Sequence, residues 1–231
     1  MISSWSHSKL GDFEKCKFLA WLKHDQKIPE PERPLPPGKT EHANDRGTRV
    51  HTACEEYVNG SQDEMIPEML KFADHLTVLR TLYKDGLVSL EGEWGIDREW
   101  NVADWRTAWQ RAKLDAMVFH SDTEATIIDY KTGRKFGNEI KHGEQLMLYQ
   151  LLAFMRYPKL ERVHAALWYM DHGEVTERLF TRSQGLRFKD NFHRRGAAIT
   201  DCTAFPPNPN VHSCKWCPYG PKGTGHCAVG V

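Results

Sequence analysis

The sequence predicts a mixed α/β fold in which helices flank a central sheet. The hydrophobic period changes from helical to strand-like spacing near residue 87, and helical spacing returns near residue 142 between further strand-like segments. The chain has 231 residues, 40% of them hydrophobic, which is enough apolar surface for a sizeable core. No internal repeat is visible, so we expect a single domain over residues 1–231 with its core at about residues 44–201.

The N-terminal part is predicted to contain three helices and one linker. Apolar side chains recur at helical spacing in three segments, and residues that favour the start of a helix open the second one. Five prolines in a short stretch exclude a regular element there and indicate an extended linker. The predicted helices are residues 6–24, 44–58 and 66–83, and the linker is residues 29–37.

The rest of the chain is predicted to supply the sheet and two more helices. Runs with strand-like spacing are separated by short polar connections, and a proline- and cysteine-rich tail follows the last helix. The predicted strands are residues 87–100, 111–119, 124–131, 162–170 and 174–181, the helices are residues 142–156 and 184–201, and the tail is residues 202–231.

Composition excludes several classes of function. Basic and acidic residues balance at 31 each, so no global field indicates a nucleic-acid partner. No apolar run approaches the roughly 20 residues of a membrane span, and the N-terminus has no secretory signal, so we expect a cytoplasmic protein with no membrane partner. Gly38-Lys39-Thr40 resembles the end of a phosphate-binding loop, but Arg33 occupies the position of its first glycine, which argues against an ATPase.

The strand predicted at residues 124–131 carries the most informative motif. Ile127 and Ile128 would hold this strand in a core, while Asp129 and Lys131 are two residues apart and would project to the same face. A carboxylate that accepts a hard cation, beside a lysine amine, suits phosphodiester hydrolysis with Mg²⁺ or Mn²⁺. Taken alone, Asp-x-Lys is also typical of a surface strand with an ion pair.

Other polar residues could contribute to the same site. Asp115 interrupts an apolar run, where an unpaired carboxylate is costly and metal coordination would remove that cost. Glu93 lies in the preceding predicted strand. Gln145 and Tyr149 share a helix face and could orient water or hold a phosphate, although an amphipathic helix with a core tyrosine explains them equally well. His51 alone favours a packing role over a metal ligand.

Together, these motifs resemble the RecB-like branch of the PD-(D/E)XK nuclease superfamily. The resemblance rests on Gly47-x-x-x-His51, Glu93, Asp115, Asp129-Tyr130-Lys131 and Gln145-x-x-x-Tyr149, and it spans about residues 3–227. It implies a restriction-endonuclease-like core, a central mixed β-sheet flanked by helices. It also implies an Mg²⁺- or Mn²⁺-dependent DNA exonuclease of prokaryotic or phage type, with recombination or replication proteins as possible partners.

The resemblance assigns roles to individual residues. The implied metal ligands are His51, Asp115, Asp129 and the Tyr130 carbonyl, and the implied catalytic residues are Glu93, Asp115, Asp129, Lys131, Gln145 and Tyr149. Lys131 would position or activate the attacking water and stabilise charge on the phosphate. Glu91 and Glu99 are nearby alternatives to Glu93. Leu114 replaces the proline of the superfamily's name, as in many of its members.

The tail contains a second candidate site. Cys214-x-x-Cys217 followed by Cys227 places three thiols in a short segment, which is typical of a metal site. With Cys16 as a fourth ligand, the pattern resembles the iron–sulfur site of AddB-type and CRISPR-adaptation nucleases and implies a [4Fe–4S] cluster. Nine residues separate Cys217 from Cys227, and His212 and His226 lie close to these cysteines in sequence as further possible ligands. A Zn²⁺ site and a metal-free remnant therefore remain alternatives.

The leading hypothesis is therefore a metal-dependent DNA nuclease in DNA processing, recombination or repair. The alternative is a non-catalytic, metal-stapled nucleic-acid-binding module in which the acidic residues and Lys131 are structural. Trp105 and Trp109 could stack bases, although packing in the core or in a hairpin is the favoured interpretation. Exonuclease or endonuclease action, strand polarity and strand preference stay open.

Overall fold

The computed structural model describes residues 1–133 and 135–230. Six strands form one sheet in the order β2-β1-β3-β4-β5-β6. The strands are β1 (Val88–Ile96), β2 (Val102–Ala103), β3 (Gln110–Ser121), β4 (Glu124–Lys131), β5 (Arg162–Tyr169) and β6 (Glu174–Thr181). Neighbouring strands are antiparallel except β4 and β5, which are parallel and are joined by a helix. The predicted α/β fold with a central mixed sheet is confirmed.

Helices cover both faces of this sheet. They are α1 (His7–Lys15), α2 (Lys17–Ala20), α3 (Ala43–Asn59), α4 (Ala73–Lys84), α5 (Glu139–Arg156), α6 (Arg182–Leu186), α7 (Lys189–Thr200) and α8 (Val211–Cys214). A π-helical turn at Trp21–Asp25 and a 3₁₀ helix at Pro67–Phe72 complete the helical segments. The helix predicted at residues 6–24 is broken at Cys16, whose backbone is extended (φ −163°, ψ 118°). No helix among the described residues is long and apolar enough to cross a membrane.

The sheet separates two hydrophobic cores because successive side chains of a strand point to opposite faces. One core, the α5-side core, contains Ile127 together with residues of α1, α5 and α7. The other, the α3-side core, contains Ile128 together with residues of α3 and α4. Strand β4 is therefore buried on both faces, which fixes the side-chain directions of its last residues. A small third cluster of Leu19, Leu22 and Tyr219 joins the tail to the N-terminal helices.

The sheet opens where the candidate acidic residues lie. The pairing of β3 with β4 ends at Ala116 opposite Ile128, whereas β4 continues along β5 as far as Lys131. Along β1 and β3 the pairing is interrupted at the single position where Glu91 faces Asp115. Leu114 packs in the α5-side core and Ala116 in the α3-side core, although they are two residues apart. Strand β3 thus rotates about its axis at Asp115 and diverges from β4, which leaves a cleft between the two strands.

Candidate active site

Asp115 holds three elements together at the mouth of this cleft. One carboxylate oxygen, Oδ2, accepts a hydrogen bond from the Tyr130 amide of β4 at 2.6 Å, and the other, Oδ1, lies 2.9 Å from His51 Nδ1 of α3. Burial pulls the pKa of His51 downward, but the hydrogen bond and charge of Asp115 outweigh it and raise that pKa. The Asp115 side chain thereby accepts from the Tyr130 amide where the backbone hydrogen bonds between β3 and β4 have ended.

Asp129 and Lys131 project from β4 to the same face. Lys131 Nζ lies 2.5 Å from Asp129 Oδ2, and both side chains are largely buried, with 17% and 5% exposure. The pKa of the Asp129 carboxyl is raised, because burial outweighs the attraction of Lys131 and Asp115 adds repulsion. Asp129 Oδ2 is buried and contacts Lys131 Nζ as an ion pair. A cation in the cleft would therefore compete with Lys131 for this oxygen.

Gln145 connects these two charged groups from helix α5. Its amide nitrogen donates to Asp129 Oδ1 at 3.1 Å and to the Tyr149 hydroxyl at 2.7 Å, while its oxygen accepts from Lys131 Nζ at 2.8 Å. Burial, and then the charge of Asp129, hold the pKa of Tyr149 well above its ordinary value, so this hydroxyl stays neutral. The predicted shared helix face is present, and it fixes the directions of both charged side chains.

Glu93 lies at the edge of this cluster. It is exposed and pairs with Lys113 at 3.0 Å, and the two residues are opposite one another in the β1–β3 register. Glu91 instead lies at the level of Asp115, between the paired positions Leu90–Ala116 and Gly92–Leu114, and burial followed by repulsion from Asp115 raises its pKa. Its backbone is in the left-handed region (φ 42°), which is uncommon for a residue other than glycine and is concentrated at functional sites. The structure thus places Glu91, not Glu93, beside Asp115, while Glu99 is exposed beyond the end of β1.

Glu55 is a further acidic residue that sequence reasoning did not select. It lies on α3 four residues after His51, and its negative charge contributes to the raised pKa of Glu91. The available signal was the four-residue spacing, which puts His51 and Glu55 on one helix face. The cleft therefore gathers acidic or imidazole groups from α3, β1, β3 and β4.

The donor set of the cleft suits a hard divalent cation. It offers an imidazole and several carboxylates, and the pKa values of Asp129 and Glu91 are raised by burial, a cost that a bound cation relieves. In residues 1–133 and 135–230, no group of three or more His, Cys, Asp or Glu side chains is arranged to hold a metal ion. Here His51 and Lys131 contact the carboxylate oxygens for which such an ion would compete.

The four cysteines selected from the sequence lie around the same part of the tail, but within residues 1–133 and 135–230 no three of them are arranged to hold a metal ion. Cys16, Cys214, Cys217 and Cys227 line one small cavity, and none of the six cysteines forms a disulfide. The backbone N–H groups of Asn208 and Asn210 donate to the sulfurs of Cys16 and Cys214, each at 3.4 Å. The break between α1 and α2 places Cys16 against the tail, since its extended backbone starts the second helix there.

The remaining cysteines lie apart from that cavity. Cys54 is buried in the α3-side core, and burial raises the pKa of its thiol to about 12. Cys202 contacts the α5-side core, and its thiol donates to the Ala204 carbonyl. Neither His212 nor His226 lines the cysteine cavity, and both are exposed.

Comparison with known proteins identifies the family. The chain matches the model of the PD-(D/E)XK nuclease superfamily over residues 4–221. Similar solved structures include that of SSO0001, with 12% identity, a TM-score of 0.44 and coverage of 99% of this chain and 87% of that one. An alkaline exonuclease (LHK-Exo) from Laribacter hongkongensis shows 14% identity, a TM-score of 0.35 and coverage of 87% of each chain.

No curated protein matches the sequence significantly. The family match extends from the first helix to the tail and so includes every strand and the whole cleft. Nucleases of this superfamily generally use divalent metal ions, which agrees with the donor set of the cleft. The chain belongs to the PD-(D/E)XK nuclease superfamily.

Proposed function

We propose that the protein is an Mg²⁺- or Mn²⁺-dependent deoxyribonuclease of the RecB-like branch that acts as an exonuclease. The observation that carries this proposal is the network in which Gln145 contacts both Asp129 and Lys131 beside Asp115, at the point where the sheet opens. A buried carboxylate whose pKa is raised, beside a lysine in a cleft, supports the assignment of a functional site at this position.

Each residue of the cleft has a distinct role in this proposal. Asp115, Asp129 and His51, together with the Tyr130 carbonyl, would hold the metal ion. When bound, the ion lowers the pKa of a coordinated water and offsets negative charge on the phosphate. Lys131 places a positive charge beside the scissile phosphate and orients the water.

Gln145 acts as a positioning residue. It accepts from Lys131 and donates to Asp129, so it holds the amine and the carboxylate at fixed directions. Tyr149 in turn fixes the Gln145 amide. Glu91 takes the acidic role that the sequence pattern suggested for Glu93, since it faces Asp115.

The cysteine cavity is proposed to hold a [4Fe–4S] cluster, with Zn²⁺ as the alternative. Four thiols around one cavity, two of them accepting backbone N–H groups, support a bound metal centre. Its role would be to fasten the tail to the N-terminal helices. Residues 1–231 would then form one domain, because α1 packs in the α5-side core and the tail packs on Leu19 and Leu22.

Substitution of the charged pair on β4 tests the proposed function. End-labelled linear DNA and closed circular DNA are incubated with Mn²⁺ and with wild type, Asp129→Asn or Lys131→Ala. We expect wild type to degrade the linear substrate only, and each variant to lose cleavage by at least about 10³-fold, as for removal of a central electrostatic group.

A second ion pair of the same composition serves as the matched control. Asp122 and Lys159 pair at 3.1 Å on the surface and are 81% and 79% exposed, so Asp122→Asn and Lys159→Ala should cleave like wild type. Full activity of the Asp129 and Lys131 variants would exclude the assigned site. Failure of wild type to cleave any DNA would favour the non-catalytic binding module.

A further inference from the structure

A groove beside Lys131 has a strongly one-sided charge. It has a volume of about 510 Å³ and extends from Trp105, before β3, past Lys131 to helix α5. Its lining residues are Trp5, Ser6, His7, Ser8, Lys9, Trp105, Arg111, Ala112, Lys113, Lys131, Lys141, His142, Gln145 and Tyr149. We call it the basic groove, because five of these residues carry a positive charge and none is acidic. In a chain with equal numbers of acidic and basic residues, this concentration indicates an anionic partner.

The charge of the basic groove comes from its lysines and arginine. Burial lowers the pKa of His7, and burial with the nearby lysines lowers that of His142 to about 4, so both imidazoles are neutral at pH 7. Lys113 pairs with Glu93, but Lys113 is 57% exposed, and such surface pairs are weak enough for a phosphate to replace the partner. Lys141 is exposed on α5.

The two tryptophans of this region have different surroundings. Trp109 is buried, packs edge-to-face against Trp5 and donates its indole N–H to Thr200, so the packing interpretation is correct for it. Trp105 lies on the wall of the basic groove and is only partly buried. The Arg111 guanidinium is 5.5 Å and the Lys113 amine 6.0 Å from its ring centroid, so positive charges surround the indole.

This combination suits an unpaired nucleic-acid strand. Proteins that bind single strands combine a positive groove for the backbone with aromatic side chains on which bases stack. The volume of the groove is that of a small-molecule site, so it holds a few groups of one strand and is too small for a duplex. A ring in such a concavity reaches only bases that are unpaired and splayed out.

We propose that the basic groove binds one single strand of DNA, with a base stacked on Trp105 and phosphates held by Lys9, Arg111, Lys113 and Lys141. The strand continues to Lys131, so the groove delivers single-stranded DNA to the cleft. This inference rests on the proposed function, because it assumes that the cleft acts on DNA. It adds a strand preference and a residue, Trp105, that determines it.

Binding in EDTA separates this inference from cleavage. Anisotropy of a labelled single strand of about 16 nucleotides, and of the matching duplex, is measured with wild type, Trp105→Ala, Trp105→Phe and Trp216→Ala. We expect Trp105→Ala to weaken single-strand binding by about 5- to 100-fold and Trp105→Phe to retain most of it. Trp216 is 67% exposed in the tail and outside the groove, so its variant should bind like wild type.

Salt dependence tests the phosphate contacts. Lys141→Ala should reduce the slope of log affinity against log salt by about 0.7, the value for one phosphate contact on a single strand. Circular dichroism of each variant verifies the fold, and Trp105→Phe keeps the aromatic ring if Trp105→Ala is unstable. Binding by Trp105→Ala within about 2-fold of wild type, or an equal loss for the duplex, would overturn the inference.

The proposed function and this inference can fail separately. If wild type binds the single strand through Trp105 but cleaves no DNA, the proposed function is wrong and the inference stands. If wild type cleaves DNA and Trp105→Ala binds the single strand unchanged, only the inference is wrong.

Discussion

The two candidate metal sites of this molecule, the cleft and the cysteine cavity, are built in different ways. In the cleft, the carboxylates of Asp115 and Asp129 contact His51 and Lys131, so cationic groups already balance part of their charge. Around the cysteine cavity, the sulfurs of Cys16 and Cys214 each accept a hydrogen bond from a backbone N–H group. In the first cluster, positively charged side chains of the protein balance part of the carboxylate charge, whereas in the second the known contacts of two sulfurs are with neutral backbone dipoles.

The surrounding elements reinforce this difference. The residues of the cleft lie on strands with cores on both faces and on two long helices, so their directions follow from the backbone pairing. Over residues 202–230 the tail has a helix of only four residues and is otherwise turns and irregular backbone, tied to the N-terminal helices through the small Leu19, Leu22 and Tyr219 cluster. If the cysteine cavity holds the proposed metal centre, the order of the tail depends on that metal, whereas the cleft folds without one.

Thiol reactivity gives the largest expected contrast between the two regions. The pKa of Cys54, behind the cleft, is raised to about 12, so at pH 8.5 its thiolate population is about 10³-fold below that of an ordinary thiol. After chelation and reduction, we expect a thiol reagent to modify the four cavity cysteines and leave Cys54 unmodified, as read by mass spectrometry. Added Fe or Zn²⁺ should protect the four cysteines.

Two outcomes would contradict this difference in thiol reactivity between Cys54 and the cavity cysteines. Modification of Cys54 at the rate of the cavity cysteines would show that the α3-side core opens readily. Retained reactivity of the cavity cysteines after metal addition would favour the metal-free remnant.

Separate substitutions of Glu91 and Glu93 test which glutamate of β1 contributes to cleavage. Glu91→Gln should lower cleavage by about 10²-fold, because it removes an acidic group that faces Asp115. Glu93→Gln, the matched control on the same strand, should stay within about 3-fold of wild type, because Glu93 is exposed and pairs with Lys113 in a weak surface contact. The measurement is the cleavage rate of linear DNA with Mn²⁺.

A larger loss of cleavage in Glu93→Gln than in Glu91→Gln would show that Glu93 is the acidic residue of the site, as the sequence motif predicts. Equal activity of both variants would show that no acidic residue of β1 takes part. Unchanged thermal unfolding of both proteins excludes an effect on the fold.

The differences between the sequence predictions and the structure come from contacts distant in sequence. Asp129 and Lys131 could be placed on one face because a strand has a period of two residues. Glu91 could be named only as an alternative to Glu93, since its position at the level of Asp115 depends on the register between the neighbouring strands β1 and β3. The break at Cys16 was likewise not visible, because helical spacing continues through it and its partners lie about 190 residues further along the chain.

Loss of a cavity cysteine should affect the tail more than the cleft. Cys217→Ser is expected to lower the bound iron or zinc and to make the tail about 10-fold more sensitive to protease, because metal binding contributes folding free energy there. Cleavage of DNA should fall by less than the effect of Glu91→Gln. Cys202→Ser is the control, since Cys202 lies outside the cavity. Loss of all cleavage in Cys217→Ser would show that the two regions are coupled.

The smallest expected effect tests whether tail and core unfold together. Tyr219 is fully buried in the tail and its hydroxyl donates to the Ile28 carbonyl at 2.9 Å, a bond worth about 1 kcal/mol. If the tail opens by itself, Tyr219→Phe should speed its hydrogen exchange about 5-fold and leave the thermal midpoint unchanged. Tyr57→Phe, which removes a hydroxyl contact with Thr77 between α3 and α4, should instead lower the midpoint by about 2–4 °C. A lowered midpoint for both variants would mean that the tail shares the cooperative unit of the cleft, and the proposed dependence of its order on metal would then be wrong.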